Sequence, residues 1–310
     1  MQQKIKRYYR YVKSSIRHPL QAYYSWITLN PQRIKNDKLF IRASWYFLMP
    51  NVKLNLRKPK RYNEKLQWLK LHDHNPLYIT LVDKYEVKQY VSGIIGEQYI
   101  IPTLSVWHSV EDIDWNLLPN QFVIKCTHDS GGLVICKDKS KLDVEVAKKK
   151  LQRSLDTNYY YLGREWPYKN VPHRIIAEQY MEDAKTKELR DYKFFCFNGK
   201  VKALFVASER YINGHPYVTF LDENYNPLPF ERGYSSSPEI PEKPMSFELM
   251  KKLAEQLSRG FIHVRVDLYE INGKPYFGEL TFYPGNGMEP FVPDEWDYIF
   301  GSWLKLPIEK

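Results

Sequence analysis

At 310 residues, with 43% hydrophobic content, the chain is long enough for a large core and two or three subdomains. No apolar run approaches the roughly 20 residues that a membrane-spanning helix needs, and the N-terminus lacks the continuous apolar core of a signal peptide. Three cysteines (Cys126, Cys136, Cys196), odd in number and without metal-ligand spacing, argue against a disulfide framework and fit a reducing, cytoplasmic setting.

The formal charge of +10 is unevenly placed. Residues 1–61 hold 15 Lys/Arg against one acid, Asp37, a net of +14, and the remainder carries −4. With Tyr8, Tyr9, Tyr11, Tyr23, Tyr24 and Trp26 interleaved, the basic end could lie on an anionic membrane or hold an anionic polymer. A solvated basic helix packing its aromatics on the body fits equally well. No recognised nucleic-acid module accompanies the charge, so no nucleic acid is expected.

In chain order, residues 1–30 read as helical pieces interrupted at Pro19, and Pro31 begins a segment through Phe47. Leu56–Arg61 is a connector, after which Asn63 is the expected N-cap of a short amphipathic helix. Leu81–Lys84 leads into a helix to Val91, and 98–102 reads as a strand. Gln121–Lys125 and Leu133–Lys137 flank a loop as a hairpin; a charged helix follows over 141–158. Arg174–Ala177 is a buried strand, and Asp191–Asn198 with Lys200–Val206 forms a hairpin across Asn198-Gly199. Ser246 is placed to cap a helix to Arg259. The mixture gives an α+β or α/β class with antiparallel hairpins.

The stretch Phe261–Pro290 concentrates the chemistry. Val264, Val266 and Leu268 alternate with Arg265 and Asp267, and register decides whether Glu279 joins the polar face. A two-residue Asn272-Gly273 turn sets Asp267 opposite Gly278 and turns Glu279 away. A three-residue Ile271–Gly273 loop pairs Arg265 with Glu279 and keeps Asp267 on that face; this is the register expected. Two carboxylates sharing a surface, together with substrate phosphates, suit Mg²⁺. A solvated hairpin with an Arg–Glu cross-strand pair fits the same residues. Earlier, Lys125 closes an apolar run ahead of Cys126–Gly132, where Ser130, Gly131 and Gly132 leave backbone amides open to phosphate oxygens. A plain turn is the alternative. His128 and Asp129 are neighbours in a loop, a poor geometry for an acid–base pair.

The order of these features resembles the ATP-grasp superfamily, and more closely its TupA-like family of bacterial cell-surface polysaccharide loci. The resemblance spans about residues 60–300. It is carried by NEKLQWLKL (63–71), DKYEVKQYV (83–91), LPNQFVIKCTHDSGG (118–132), ICKDKSKLD (135–143), RIIAEQYM (174–181), DYKFFCFNGKVKAL (191–204) and VDLYEINGKPYFGELTFYPGNGM (266–288). It implies an ATP-grasp fold of two α/β subdomains clasping ATP, with a basic helical segment over 1–62, a preceding region over 63–117, a glycine-loop lid over 118–182 and a metal and substrate unit over 183–310. Lys84 and Lys125 then match the phosphate-contacting lysines, and Ser130, Gly131 and Gly132 the closing loop. Glu178, Tyr180 and Met181 match the adenine hinge, and Asp191 an acid at the ribose. Asp267 and Glu279 match Mg²⁺ ligands, and Arg265 the arginine beside the transferring phosphoryl group. Where the family usually carries a ligating asparagine, this chain has Thr281. The implied activity uses ATP and Mg²⁺ to activate a carboxylate as an acylphosphate and join it to an amine. The carboxylate would belong to a glycan or its precursor, such as a uronic acid, with an amino acid as amine donor. A glycosyltransferase of the same pathway and an ATP-grasp kinase acting on a glycan hydroxyl are the other readings. The cytoplasmic enzyme is expected to touch the inner membrane face through residues 1–61.

Overall fold

The computed structural model describes residues 18–185, 189–208 and 217–308; the helical expectation for residues 1–17 lies outside them. Pro19 opens helix α1 (Pro19–Leu29), as suits a residue without an N–H at the first helical position. After a 3₁₀ turn at Pro31–Arg33, helix α2 (Asp37–Leu48) starts where Asn36 Oδ1 accepts the Leu39 N–H at 3.0 Å. Ile27, Phe40 and Ala43 join the two helices, and Ile41, Trp45 and Met49 pack α2 onto Met288 of the body. The buried Arg164 guanidinium reaches back to the carbonyls of Pro31 and Ile34. No helix among the described residues is long and apolar enough to cross a membrane.

Helix α3 (Tyr62–His72) has Arg61 at the N-cap position, two residues before the expected Asn63. Glu64, not Asn63, ties its first turn, accepting the N–H groups of Lys60 at 2.9 Å and Arg61 at 3.2 Å. Asn63 has a different duty. With Gln67 and Lys70 it recurs at i, i+4 and i+7, so the three share one buried face. Asn63 Nδ2 donates to the Glu289 carbonyl at 2.9 Å, Gln67 Nε2 to that of Gly287 at 2.8 Å, and Lys70 Nζ to that of Asn286 at 2.8 Å. This polar face grips the glycine-rich loop 284–289, which is why a helix with such a weak apolar stripe is buried.

Helices α4 (Leu77–Val82) and α5 (Glu86–Ile95) follow. Residues 97–99 form a 3₁₀ turn and the expected strand begins later, as β1 (Thr103–Trp107). Strands β2 (Phe122–Cys126), β3 (Leu133–Cys136) and β4 (Ile175–Gln179) complete an antiparallel sheet in the order β1-β4-β2-β3. Helix α6 (Val144–Leu155) packs Leu151 on its Phe122, Ile124 and Ala177, and the one-turn helix α7 (Tyr160–Gly163) precedes β4.

The second sheet is antiparallel with order β10-β9-β5-β6-β7: β5 (Asp191–Phe197), β6 (Lys200–Ser208), β7 (Tyr217–Asp222), β9 (His263–Ile271) and β10 (Lys274–Thr281). A two-stranded piece joins β8 (Glu231–Arg232) to β11 (Phe291–Val292). Helix α8 (Phe247–Leu257) buries Met250, Leu253 and Leu257 in the largest core cluster, alongside Val264, Val266 and Leu268 of β9. Ser246 precedes α8 but donates its hydroxyl to Glu270 instead of capping the helix. Helix α9 (Glu295–Trp303) closes the fold, its Phe300 fully buried. The architecture is α+β, as the alternation of hairpins and helices indicated.

The β9–β10 hairpin corrects the expected loop and explains why its consequence survives. The turn is the two-residue Asn272-Gly273 form, with φ of +51° and +76° and Ile271 opposite Lys274. That register would turn Glu279 away. A bulge at Gly278 intervenes: Leu268 faces Phe277, Asp267 faces Glu279, and Arg265 faces Thr281 rather than Glu279. A Cβ on Gly278 would lie 3.1 Å from the Asp267 carbonyl oxygen and 3.0 Å from the Tyr269 ring, so the extra residue fits as glycine. Gly278→Val should cost about 1–3 kcal/mol in a denaturant melt and uncouple Glu279 from Asp267, abolishing Mg²⁺-dependent nucleotide binding. Wild-type stability together with wild-type binding would contradict this.

His263, at the start of β9, is buried between the Tyr62 hydroxyl and the Cys196 carbonyl, each 2.8 Å away. The carbonyl requires a proton on Nδ1, so Nε2 accepts from Tyr62. Burial pushes the imidazole down to about 3 from the usual 6.5. Between those values the unfolded chain takes up a proton that the folded chain refuses, so stability falls as pH drops, by about 1.4 kcal/mol per pH unit from this group. Urea melts across that interval should show a shallower acid loss for His263→Gln than for the wild type; equal slopes would contradict the assignment.

Candidate active site

The two larger sheets face each other across a cleft of about 570 Å³. One wall is Lys84, β2 with Lys125, the 126–132 loop and β3; the back is the segment Glu178–Glu182; the other wall is Asp191, Lys193, Tyr269, Gly278 and Glu279. Most of the residues expected to meet nucleotide therefore come together: Lys84, Lys125, Ser130, Gly132, Glu178, Tyr180, Met181, Asp191 and Glu279 line this cleft. Gly131, Arg265, Asp267 and Thr281 do not line it directly.

Position follows from local sequence. Lys125 is the fourth residue of β2, and its ammonium meets Glu178 Oε2 of neighbouring β4 at 2.5 Å. Lys88, which sequence reasoning did not single out, holds Glu178 Oε1 at 2.5 Å and also donates to the Ile101 carbonyl and Thr103 Oγ1, both at 2.8 Å. Burial alone would push the Glu178 carboxyl up; Lys125 and Lys88 outweigh it and hold it below the usual carboxylate range. Glu178 thus sits at the back of the cleft as a buried anion between two cations. Lys88 lies four residues after Lys84, and that spacing was the available signal.

The glycine loop is built by Asp129. Its carboxylate accepts the Gly132 N–H at 3.0 Å and the Ser154 hydroxyl, while its carbonyl accepts from Lys84 Nζ. A Cβ on Gly132 would strike Ser154 Oγ at 2.3 Å, so that position has no room for a side chain. His128 points the other way, to the carbonyls of Ser154 at 3.1 Å and Thr157 at 3.2 Å, and stacks on His173 at 3.7 Å. The two neighbours do not form an acid–base pair. Burial lowers the Lys84 ammonium below its ordinary pKa, with Glu279 opposing.

Behind the cleft lies a buried ion network. Arg265 donates from Nε to Asp267 Oδ1 and from Nη2 to Oδ2, each at 2.7 Å, and Nη2 also reaches Thr281 Oγ1 at 3.0 Å and Glu279 Oε1 at 3.3 Å. One guanidinium therefore touches all three expected metal ligands. Lys193 pairs with Asp267 and, at 2.8 Å, with Asp191 Oδ2. Burial works against ionised Lys193, and Asp191 and Asp267 more than offset it. Burial also opposes ionisation of Glu279, but Lys193, Lys84 and Arg265 hold its carboxyl down at about 2. Among the described residues no group of three or more His, Cys, Asp or Glu is set to hold a metal. Asp267 and Glu279, opposite each other across the ladder, supply two hard oxygen donors, which fits Mg²⁺ shared with phosphates.

Beyond Arg265 and Lys193 lies a second cavity of about 250 Å³, with Phe205 and Phe220 on its apolar side and Arg232, Tyr234 and Glu289 on its polar side. Arg232 is buried, 4.9 Å over the Phe291 ring, and donates to the Pro284 carbonyl at 2.9 Å. Sequence reasoning missed it: it sits in a two-residue strand that no periodicity marks.

Residues 64–305 match the family model described as TupA-like ATPgrasp. No curated protein matches the chain. Among solved structures the chain is similar to an L-amino acid ligase from Bacillus licheniformis, with 14% identity over 73% of this chain and 49% of that one and a TM-score of 0.42. It is also similar to D-alanine–D-alanine ligase from Bacillus anthracis complexed with ATP, with 16% identity over 66% and 54% and a TM-score of 0.38. The chain thus spans about half the length of these ligases. With the family model covering most of its length, the chain belongs to the TupA-like ATP-grasp family.

Proposed function

We propose that the protein is an ATP- and Mg²⁺-dependent ligase that activates a carboxylate and joins it to an amine in cell-surface glycan synthesis. The observation that carries this reading is the single face formed by Arg265, Asp267, Glu279 and Thr281, set behind a lysine- and glycine-lined cleft. A carboxylate oxygen attacks the γ-phosphorus, the bond to the bridging oxygen of ADP breaks, and an acylphosphate forms. The amine then attacks the acyl carbon, phosphate leaves with the former carboxylate oxygen, and the nitrogen loses a proton. Phosphoryl transfer depends chiefly on positioning and charge stabilisation. In this reading Lys84 and Lys125 meet the phosphates at one end of the cleft, and Arg265, from behind it, opposes the charge on the transferring group. Mg²⁺ held by Asp267 and Glu279 would neutralise phosphate charge. The 250 Å³ cavity supports a carboxylate acceptor, because Arg232 and Arg265 both border it and guanidinium groups recognise carboxylates. Its aromatic side suits one sugar or amino-acid unit, in keeping with a uronic acid as the acceptor.

A glycosyltransferase would need a metal-binding Asp-x-Asp. The chain has one, Asp112-Ile113-Asp114, but both aspartates are exposed between β1 and β2, outside the cleft. A kinase acting on a glycan hydroxyl would use the same cleft and differ in product mass. ADP release that depends on added carboxylate, with a product heavier by the joined amine, supports the ligase; nucleotide-sugar turnover or a stable phosphorylated glycan contradicts it.

Asp267→Asn and Glu279→Gln should each abolish turnover and leave a cooperative melt, and chelation of divalent metal should do the same to the wild type. Full activity in either variant would remove the metal assignment. Lys125→Ala should weaken ATP binding by about 1–3 kcal/mol, the range for a lost charge-assisted contact. Unchanged affinity by calorimetry would leave Lys125 as a structural partner of Glu178 alone.

A further inference from the structure

Helix α1, PLQAYYSWITL, has no charged residue and is apolar on two sides. Tyr24 and Ile27 pack inward against α2. Leu20, Tyr23, Trp26 and Leu29, spaced three apart, face outward and are between 45% and 75% exposed. At the end of α2, Tyr46, Phe47 and Leu48 are also exposed. The Tyr46 ring lies 5.3 Å from that of Tyr24 and 5.2 Å from that of Phe47, so the apolar surface continues from one helix to the other. Folded soluble domains seldom leave such a patch uncovered.

Beside it runs a groove of about 870 Å³. Lys38 and Arg42 lie on the α2 stripe that continues to Tyr46, and the following loop adds Lys53, Arg57, Lys58 and Lys60. Among the described residues none of these six forms an ion pair. The one carboxylate lining the groove, Glu64, is taken up by the N–H groups of Asn55, Lys60 and Arg61. The groove's field is therefore strongly positive.

We propose that this face docks on an anionic lipid bilayer. The α1 stripe and Tyr46–Leu48 enter the interfacial layer, and the groove cations meet lipid phosphates. Leu, Tyr and Trp beside basic residues are the composition that suits that layer. A soluble polyanion such as nucleic acid would engage the cations and leave the apolar stripe in water. The net of +14 over residues 1–61 against −4 elsewhere would also orient the molecule, turning this end to the membrane.

The test sediments the full chain with phosphatidylcholine vesicles, with and without phosphatidylglycerol, at low and high salt. Binding should require phosphatidylglycerol and weaken with salt. Arg42→Gln with Lys53→Gln should lower the partition coefficient roughly 25-fold, about fivefold per lost cation. Trp26→Ser with Leu29→Ser should lower it at least about tenfold, by removal of apolar surface from the interface. Both variants should keep the wild-type melting temperature and ATP affinity, since the altered side chains are exposed. Absence of binding to anionic vesicles at low salt overturns the proposal. So does binding that the charge variant abolishes and the apolar variant leaves intact, which would mean simple polyanion association. A lower melting temperature or a lost dimer in the apolar variant, without vesicle binding, would assign the face to residues 1–17 or to a second copy, and would overturn it as well.

Discussion

The structure depends on keeping Asp267 ionised in a place with almost no water. Its side chain is 1% exposed, and an isolated carboxylate there would cost several kcal/mol. Arg265 and Lys193 offset part of that cost from two sides, Asp191 completes the network through Lys193, and burial still leaves the carboxyl pushed up to about 6, ionised at neutral pH. Such a group of charges is stable only as a set: remove one member and the others are left buried without compensation. Three strands must therefore lie side by side in fixed register. Lys193 on β5 faces Asp267 on β9, which faces Glu279 on β10.

That requirement organises the rest of the molecule. The Asn272-Gly273 turn sets one register and the Gly278 bulge shifts it by one residue, so the hairpin is specified by two glycines acting together. The loop after β10 is held by Asn63, Gln67 and Lys70, and the start of β9 by Tyr62 through His263, so α3 braces both ends of the β9–β10 hairpin. Across the cleft, the four-stranded sheet repeats the pattern on a smaller scale, with Glu178 between Lys88 and Lys125. Each wall offers cations whose charge is already balanced by buried carboxylates, which keeps them ordered and aimed.

Much of this was legible in the sequence, for identifiable reasons. The alternation over 264–268 set the buried face of β9, and the Lys125-to-Gly132 run marked the loop between two strands. Asn198-Gly199 announced the β5–β6 hairpin, and both residues do adopt positive φ. What escaped the sequence was non-local. The bulge at Gly278 leaves no trace in periodicity, because one extra residue simply looks like a strand with glycine in it. Asn63 resembles an N-cap, yet its partner is the Glu289 carbonyl, more than two hundred residues away. Lys88 and Arg232 acquire their positions only when distant strands meet. The two-sided apolarity of α1 was visible as composition; which side would stay exposed was not.

The most direct test of the central claim follows oxygen. A uronic-acid glycan precursor bearing heavy oxygen in its carboxylate is incubated with the protein, ATP, Mg²⁺ and a pool of amino acids. If the carboxylate attacks the γ-phosphorus and the amine then displaces phosphate, the heavy label appears in the released inorganic phosphate and the product gains the amine's mass. Phosphate released without label, or label kept wholly in a phosphorylated glycan, would contradict the acylphosphate mechanism.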